Sequence, residues 1–461
     1  MRTVLSALVI AATAHTAHAF CGFYVSGSGS KLVNDATQVV LMRDGTRTVL
    51  AMQNDYKGPL EDFAMVVPVP VVLHEGDVKT LKPEVFAHVE SLGSPRLVEY
   101  WEQDPCPQPV LYGESFGYGS IGFGAGAGGV AYGAIGMGRS TVKIEAKFDV
   151  AEYKILILSA TDSAGLETWL HDNSYKIPAG AEPLLRPYIE SGSKFFVAKV
   201  NPEKVQMVDG HAALSPLRFH YDSDDFSLPI RLGMANADGK QDLIVSIFSK
   251  NTRYEVANYK NVFIPTNFDV KSAVKSRFGE FYAALFDKTI EANPGAVVTE
   301  YAWQAKRSYH CDPCAEMDVT SADLAQLGAD VIGGDIANAF MLTRLHARYG
   351  KRDMKDDLRF REAKPIVGGR EQYSKDGIEY GAKPATDGEN HFQARYAVRH
   401  YWTGAITCAH PQRYVWGGPP DGSYAPTIGA QKIAFAPRGK LALGSVIGRD
   451  LWEIGFKKGS K

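Results

Sequence analysis

The chain has 461 residues, 45% of them hydrophobic and 22% charged, with 50 lysine and arginine residues against 52 aspartate and glutamate residues. These values are ordinary for a globular protein, and they exclude a wholly disordered chain. The net charge of −2 at pH 7 provides no field that could hold nucleic acid, so no nucleic-acid partner is expected. The length predicts two or three domains.

The N-terminus has the pattern of a signal peptide over residues 1–19. Arg2 precedes an apolar run at 4–14, and Ala-His-Ala at 17–19 is the small-x-small pattern that precedes a signal-peptidase site. We expect cleavage before Phe20, with the mature chain in the periplasm, on the outer envelope surface or in the medium. An uncleaved membrane anchor and a lipid anchor on Cys21 are the alternatives. No transmembrane segment is expected after cleavage, because no later apolar run approaches the roughly 20 residues that span a bilayer.

Residues 20–112 are predicted to form a β-rich N-terminal domain. Apolar runs indicate a β-meander with strands at 38–42, 46–52 and 63–67, a turn at Asp44-Gly45, and a further strand at 96–101. Pro68 and Pro70 lack N–H donors and are expected at an edge of the sheet or at an extended exit from it.

Residues 113–139 are predicted to be a Gly-rich loop or linker. Eleven of the 26 residues from 113 to 138 are glycine, and Glu114 is the only charged one. Glycine at this density makes ordering costly, which favours a linker. A contact with a membrane or a partner through the interspersed aromatic residues is the alternative.

Residues 140–295 are predicted to form an α+β middle domain. A buried strand is expected at 153–158, a helix beginning near Ser163, a second helix over 181–192, and strands over 194–265. A longer helix is expected from Val270 to Thr289, capped by Asp269 and ended by Asn293-Pro294-Gly295.

Residues 296–461 are predicted to form a C-terminal β-rich region that carries a Cys-x-x-Cys motif. Strands are expected at 296–303, 338–349 and 392–402, with a short helix from Ser321. The predicted fold class is α+β with β predominating: antiparallel sheets and meanders with a few packed helices.

The five cysteines are Cys21, Cys106, Cys311, Cys314 and Cys408, and export would place them where disulfides persist. The simplest pairing joins Cys21 to Cys106 and Cys311 to Cys314 and leaves Cys408 free, and other pairings remain open. In the loop-entropy model the first bridge stabilises by about 4.5 kcal/mol and the second by only about 2 kcal/mol. The first pair is therefore expected to be a structural staple, whereas the second invites a functional interpretation.

A series of motifs is similar to those of a bacterial family of exported proteins known as domain of unknown function 2330. The motifs are Cys21-Gly-Phe-Tyr-Val25, Val-Val-Leu-Met-Arg-Asp-Gly45, Phe63-Ala-Met-Val-Val-Pro-Val-Pro70, Pro95-Arg-Leu-Val-Glu-Tyr100 with Asp104-Pro-Cys106, Cys311-Asp-Pro-Cys314, Thr343-Arg-Leu-His-Ala-Arg-Tyr349, and Phe392-Gln-Ala-Arg-Tyr396 with Arg399-His400. They span most of the mature chain. The resemblance implies export, and it implies no catalytic residue.

The motif Cys311-Asp-Pro-Cys314 has the proline placement of thiol-disulfide exchange motifs and follows a predicted strand. Redox activity favours a first cysteine at a helix N-terminus, but residues 315–320 do not have a helical pattern. A structural clip is therefore the favoured interpretation, with redox chemistry as the alternative. The motif and His310 lack further ligands at zinc-finger spacing, so neither a metal nor a cofactor is predicted.

Two predicted strands carry cationic residues on alternate positions. Arg344, His346 and Arg348 share one face of the first strand, and Arg395 and Arg399 share one face of the second. If the strands are neighbours, these five side chains form a cationic stripe that could bind carboxylates, phosphates or acidic glycans. The favoured alternative is neutralisation in ordinary surface pairs by the following acidic residues: Asp356, Asp357, Glu362 and Glu389.

Sequence motifs of zinc proteases, hydrolase elbows and phosphate-binding loops do not occur, which argues against an enzyme. The leading hypothesis is a non-catalytic, exported envelope protein, a binding or structural module stabilised by disulfides. Its expected partner is an envelope or extracellular component such as an anionic glycan or a lipid, bound through the cationic strands or the Gly-rich loop. The alternative is a periplasmic thiol-disulfide redox protein that uses Cys311 and Cys314.

Overall fold

The computed structural model of the protein describes residues 23–26, 33–57, 63–106, 141–173, 175, 181–208, 211–235, 240–305, 317–333, 340–350, 354–369, 372–374, 377–379, 385–386, 389–429 and 440–459. The predicted signal peptide, the Gly-rich segment at 113–139, and Cys21, Cys311 and Cys314 lie outside these residues.

Strands predominate in the fold. In the first half of the chain they are β1 (Phe23–Ser26), β2 (Val33–Asp44), β3 (Arg47–Lys57), β4 (Phe63–Val69), β5 (Val78–Thr80), β6 (Arg96–Glu102), β7 (Val142–Val150), β8 (Tyr153–Ala160), β9 (Lys194–Val200), β10 (Gln206–Val208), β11 (His211–Ala213), β12 (Leu217–Asp222) and β13 (Ser227–Leu228). In the second half they are β14 (Gln241–Lys250), β15 (Arg253–Val256), β16 (Asn261–Phe263), β17 (Phe268–Asp269), β18 (Val297–Gln304), β19 (Phe340–Tyr349), β20 (Leu358–Ala363), β21 (Ile366–Gly368), β22 (Gln372–Ser374), β23 (Gly377–Glu379), β24 (Ala385–Thr386), β25 (His391–Gln393), β26 (Arg395–His400), β27 (Trp416–Gly417) and β28 (Ile428–Gly429).

The helices are α1 (Pro83–Gly93), α2 (Ser163–Asp172), α3 (Glu182–Glu190), α4 (Phe278–Ala292), α5 (Ser321–Leu324) and α6 (Asp330–Ile332), with a π-helical turn at Ala325–Ala329 between the last two. The predicted α+β, β-rich fold class is confirmed. Among the described residues, no helix combines the length and the apolar character needed to cross a membrane.

The predicted helices at Ser163, 181–192 and 270–289 are present as α2, α3 and α4. The third begins as a 3-10 helix at Ser272–Arg277 before α4 continues to Ala292. Asp269 does not cap it as predicted. The Asp269 carboxylate instead accepts a hydrogen bond from Arg399 Nε at 2.9 Å, because Asp269 belongs to β17.

One eleven-stranded sheet forms the centre of the fold, in the order β24-β21-β25-β18-β19-β14-β2-β3-β12-β5 with β16 beside β18. The predicted hairpin of β2 and β3 is present, and Gly45 in its turn has φ +56°, a left-handed conformation that glycine adopts without strain. The sheet takes strands from all three predicted segments. The boundaries expected at 112 and 295 therefore do not separate independent sheets.

The predicted meander is wrong at its third strand. Strand β4 lies in a different sheet from β2 and β3, and the order of this second sheet is β1-β4-β9-β8-β7. Met65 and Val67 of β4 pack toward the central sheet, whereas Ala64 and Val66 pack with α2 and α3. An uninterrupted apolar run is typical of a strand buried on both faces, as β4 is. β1 pairs with β4 only at residues 63–66, so the missing N–H of Pro68 costs no hydrogen bond to β1.

The two faces of the central sheet have different coverings. One face packs on the second sheet through residues such as Leu243, Val245 and Leu345. The other face is covered by α1, through Phe86 and Val89, and by α4. Side chains on this second face are therefore in the interior.

A third sheet, in the order β17-β26-β6-β27 with β28 beside β6, carries the irregular segment 401–429. Cys106 and Cys408 form a disulfide that ties this segment to the end of β6, with Cα atoms 5.6 Å apart. The predicted pairing of Cys21 with Cys106 is therefore wrong, and so is the prediction of a free Cys408. Sequence spacing could not show that residues 302 positions apart lie side by side.

Glu102 reinforces this attachment. Its buried carboxylate accepts hydrogen bonds from Arg413 Nε at 2.6 Å and from the backbone N–H groups of Tyr414 and Trp402 at 2.8 and 3.0 Å. The Arg413 hydrogen bond, with help from the two backbone donors, outweighs burial and lowers the pKa of Glu102 to about 2. A covalent bond and a saturated carboxylate together hold segment 401–429 in place.

Replacement of both bridged cysteines in the variant Cys106→Ser/Cys408→Ser is expected to lower the free energy of unfolding by about 2–4 kcal/mol, because the bridge constrains a long loop of the unfolded chain. Chemical denaturation of the mature protein measures the change. The control is Cys21→Ser, which should leave the unfolding midpoint unchanged. If Cys21→Ser reproduced the loss and the double variant did not exceed it, the Cys106–Cys408 assignment would be incorrect.

Candidate functional site

Arg344 of β19 lies in the interior, between α1 and β18. Its Nη1 and Nη2 donate to the two carboxylate oxygens of Glu90 at 2.6 and 3.0 Å, and its Nε donates to Glu300 Oε2 at 2.6 Å. The Arg344 side chain is 0% exposed. Gln38 Nε2 donates to the same Glu90 carboxylate at 2.9 Å. The guanidinium is therefore neutralised by two carboxylates from different elements.

His346, two residues further along β19, also contacts Glu300. Its Nδ1 lies 2.7 Å from Glu300 Oε1, which accepts a second hydrogen bond from the Tyr282 hydroxyl at 2.7 Å. The imidazole stacks on the ring of Phe286 at 3.6 Å between centroids, and its Nε2 lies 3.5 Å from Asp242 Oδ1. The ring is thus held between two carboxylates.

Arg348 completes the row of polar residues. Its Nε and Nη2 donate to the two oxygens of Asp242 at 2.6 and 3.1 Å, and its Nη1 donates to Asp287 of α4. We call the seven residues Glu90, Asp242, Asp287, Glu300, Arg344, His346 and Arg348 the buried ion network. Four of its members are acids and three are bases, so their charges largely cancel.

The network favours the charged forms of Glu300 and His346. Burial disfavours the Glu300 carboxylate, but the charges of His346 and Arg344 outweigh it and lower the pKa of Glu300 to about 2. Burial likewise disfavours the His346 imidazolium, and the Glu300 charge together with Asp242 outweighs it and raises the pKa of His346. A paired, charged interior of this kind has a structural role.

Arg344, His346 and Arg348 are therefore buried and paired, whereas the predicted anion-binding stripe requires exposed side chains. Strict alternation predicted a strand with one exposed face, but α1 and α4 cover the polar face as well. The predicted neutralising acids also differ from the observed ones, because Asp356 and Asp357 lie elsewhere and the partners come from α1, α4, β14 and β18.

Arg395 and Arg399 belong to β26 in the third sheet, so the continuous cationic stripe is not formed. Arg395 is buried and its Nη1 donates to Asn267 Oδ1 at 2.9 Å. Arg399 pairs with Asp269, and its guanidinium lies 4.7 Å from the ring centroid of Trp416. Alternation within each strand could not show that the two strands lie in different sheets.

Sequence reasoning missed Glu300, which joins Arg344 to His346. The register of β18 against β19 shifts between Thr299 and Tyr301, so Glu300 is the extra residue of a β-bulge. The side chains of Glu300 and Tyr301 can then both lie on the helix-covered face of the sheet. In a regular strand, successive side chains point to opposite faces. The available signal was the single acidic residue of a strand that is otherwise uncharged.

A cleft of about 480 Å³ lies on another part of the molecule, between the end of β4, the end of α3, the segment 221–231 and the segment 356–359. We call it the Tyr221 cleft, and its defining residues are Pro68, Pro187, Tyr188, Tyr221, Asp225 and Arg359. Its volume is in the range of small-molecule sites. Sequence reasoning did not identify it, because its walls come from four distant parts of the chain.

Two acidic residues of the Tyr221 cleft, Asp356 and Asp357, are paired within the protein. Asp357 Oδ1 accepts hydrogen bonds from the Tyr188 hydroxyl at 2.7 Å and from the backbone N–H groups of Ile230 and Arg231 at 2.9 and 3.2 Å. Burial raises the pKa of Asp357, and these donors only partly oppose it. Asp356 pairs with Arg231 Nη2 at 2.9 Å.

Four other residues of the cleft contrast with these two acids. Among the residues that the structure describes, the Tyr221 and Ser227 hydroxyls, the Asp225 carboxylate and the Arg359 guanidinium make no hydrogen bond or ion pair. Pairing of β13 with β20 sets Ser227 opposite Arg359. Donors and acceptors are thus presented together on fixed backbone.

No group of three or more metal-ligating side chains occurs in the described portion of the chain. Cys311 and Cys314 lie outside it, so their pairing and their redox role stay predictions.

The variant Arg344→Met is expected to lower the free energy of unfolding by about 3–5 kcal/mol, because it leaves two buried carboxylates without their partner. The matched control is Arg361→Ala, which removes an exposed pair with Glu255 and should cost less than about 1 kcal/mol. Urea denaturation measures both. Equal losses in the two variants would show that the network does not act as the structure indicates.

The network also predicts a pH dependence of stability. His346 has a raised folded pKa, so its contribution is complete below its ordinary pKa of 6.5 and declines as the pH rises above that value. Glu300 has a lowered pKa of about 2, so its contribution is complete above its ordinary 4.5 and declines as the pH falls toward 2. The free energy of unfolding should therefore be greatest between about pH 4.5 and 6.5.

Denaturant titrations from pH 3 to 9 measure this profile, and His346→Gln should abolish the decline above pH 6.5. An unchanged alkaline slope in that variant would assign the decline to another group.

The chain matches the sequence model of a known bacterial family. The sequence model of one family, described as "Uncharacterized protein conserved in bacteria (DUF2330)", matches residues 15–361. No curated protein and no solved structure matches the chain. The matched span is more than half of the chain and contains both the buried ion network and the Tyr221 cleft. The chain therefore belongs to the DUF2330 family, as its sequence motifs indicated.

Proposed function

We propose that this chain is an exported, non-catalytic binding protein of the cell envelope and that its ligand occupies the Tyr221 cleft. Export is supported by the signal-peptide pattern over residues 1–19 and by the Cys106–Cys408 disulfide, a bond typical of oxidising compartments. The observation that carries the binding role is the set of unpartnered polar side chains that line the cleft: Tyr221, Asp225, Ser227 and Arg359.

The contrast with the buried ion network supports this choice of site. The charged groups of the network are paired with one another in the interior, so an external ligand would have to break existing ion pairs. In the cleft, a ligand can form hydrogen bonds with Tyr221, Asp225 and Arg359 without breaking any hydrogen bond of these side chains within the described residues.

The walls of the cleft favour binding as well. Pro68, Pro70, Pro187 and Pro229 line it, and the fixed backbone of proline reduces the ordering that binding would require. A preformed cleft with a few convergent polar groups is the usual form of a small-molecule site.

The redox alternative stays a prediction. Because Cys106 and Cys408 are joined, Cys311 and Cys314 have only each other and Cys21 as partners within the chain. The contact of the Gly-rich segment with a partner also stays a prediction.

Native mass spectrometry of the mature protein, purified from its producing cells and incubated with a small-molecule extract of the envelope, tests the proposal. We expect an adduct on a chain whose mass corresponds to residues 20–461. The adduct should be lost in Arg359→Ala and retained in Arg361→Ala, a control on the same strand that is exposed but lies outside the cleft.

Two results would contradict the proposal. A chain found in the cytoplasm with residues 1–19 still attached would refute export. An adduct that never forms, or that is indifferent to Arg359→Ala, would refute binding at the cleft.

A further inference from the structure

We propose that the Tyr221 cleft binds a neutral saccharide unit through the side chains of Tyr221, Asp225, Ser227 and Arg359. This inference rests on the proposed function and specifies the chemical class of its ligand.

The charges of the cleft argue against a strongly charged ligand. An anion would face the carboxylates of Asp225, Asp356 and Asp357, and a cation would face the guanidinium groups of Arg231 and Arg359. Asp356 and Arg231 already neutralise each other at 2.9 Å, and Asp357 Oδ1 already accepts hydrogen bonds from Tyr188 and Ile230. The two remaining charges, on Asp225 and Arg359, have opposite signs, so an anion or a cation that approaches one of them also meets a like charge in the same cleft.

The unpartnered polar side chains of the cleft are instead suited to bind hydroxyl groups. A sugar hydroxyl both donates and accepts, so it can donate to the Asp225 carboxylate while a neighbouring hydroxyl accepts from Arg359 or Tyr221. Planar carboxylate and guanidinium groups can engage two hydroxyls on adjacent carbons at once. Hydrogen bonds to charged groups are also stronger than bonds between neutral groups.

The apolar walls match the other half of a sugar ring. A pyranose has C–H groups on its faces in addition to hydroxyls at its rim, and it therefore needs apolar surface beside polar groups. Pro68, Val69 and Pro70 at the end of β4 and Pro229 on the opposing segment supply such surface. Pro68 and Pro70 stood out in the sequence as strand-breaking residues, and the cleft gives them a second role.

The backbone holds these groups in fixed positions. The two-residue ladder of β13 and β20 sets Ser227 opposite Arg359, and Phe360 N–H donates to the Phe226 carbonyl at 2.8 Å. Asp225 and Ser227 flank Phe226, whose ring is packed against Tyr254 and Phe360 at 5.1 and 5.0 Å. A rigid arrangement reduces the entropy that binding would otherwise cost.

Isothermal titration of the mature protein with three neutral trisaccharides, cellotriose, maltotriose and N,N′,N″-triacetylchitotriose, tests the inference. Dialanine and trigalacturonate serve as zwitterionic and anionic probes. We expect at least one neutral trisaccharide to bind and to do so more tightly than either charged probe.

Variants locate the site. Arg359→Ala should weaken trisaccharide binding by about tenfold or more, because it removes a charged donor. Tyr221→Phe keeps the ring, removes the hydroxyl and should weaken binding by about two- to tenfold. Arg361→Ala should leave the affinity unchanged, and circular dichroism checks that each variant is folded.

The outcomes separate this inference from the proposed function. If dialanine or trigalacturonate binds more tightly than every trisaccharide with the same dependence on Arg359, the saccharide class is overturned and the binding role stands. If no trisaccharide binds while the envelope adduct persists, the saccharide class is likewise overturned. If neither the probes nor the envelope extract binds, both proposals fail. Trisaccharide binding that is indifferent to Arg359→Ala and Tyr221→Phe overturns the assignment to this cleft.

Discussion

Arg344 joins parts of the chain that are far apart in sequence. Its guanidinium bonds to Glu90 of α1 and to Glu300 of β18, and Glu300 in turn contacts His346 and Tyr282 of α4. A buried guanidinium without both carboxylates would retain a large desolvation cost, so Glu90 of α1 has to meet Arg344 where β18 lies beside β19 in the central sheet. Tyr282 connects α4 to the same point through Glu300.

The network also explains why polar strands lie in the interior of a protein with an ordinary composition. Arg344, His346 and Arg348 alternate with Leu345 and Ala347, and the apolar set packs toward the second sheet. The polar set would normally face water. Here α1 and α4 cover it, and the acids they bring neutralise the bases beneath them.

The two polar regions of the molecule differ in what remains unsatisfied. In the buried ion network the opposite charges pair with one another, which makes the free energy of unfolding depend on pH. The Tyr221 cleft pairs Asp356 and Asp357 in the same way, but its Tyr221, Asp225, Ser227 and Arg359 side chains have no hydrogen-bond or ion-pair partner in the described chain.

The sequence by itself determined the elements: the β2–β3 hairpin from Asp44-Gly45, the helices α2, α3 and α4, the β-rich α+β class and the family. These follow from local turn chemistry and from the periodicity of apolar residues, which act over a few positions. Only the tertiary structure decided the partners. It moved β4 into a second sheet, paired Cys106 with Cys408, introduced the bulge at Glu300 and assembled the cleft from four separate segments. Each of these depends on contacts between residues far apart in the chain, and no local pattern encodes which distant residues will meet.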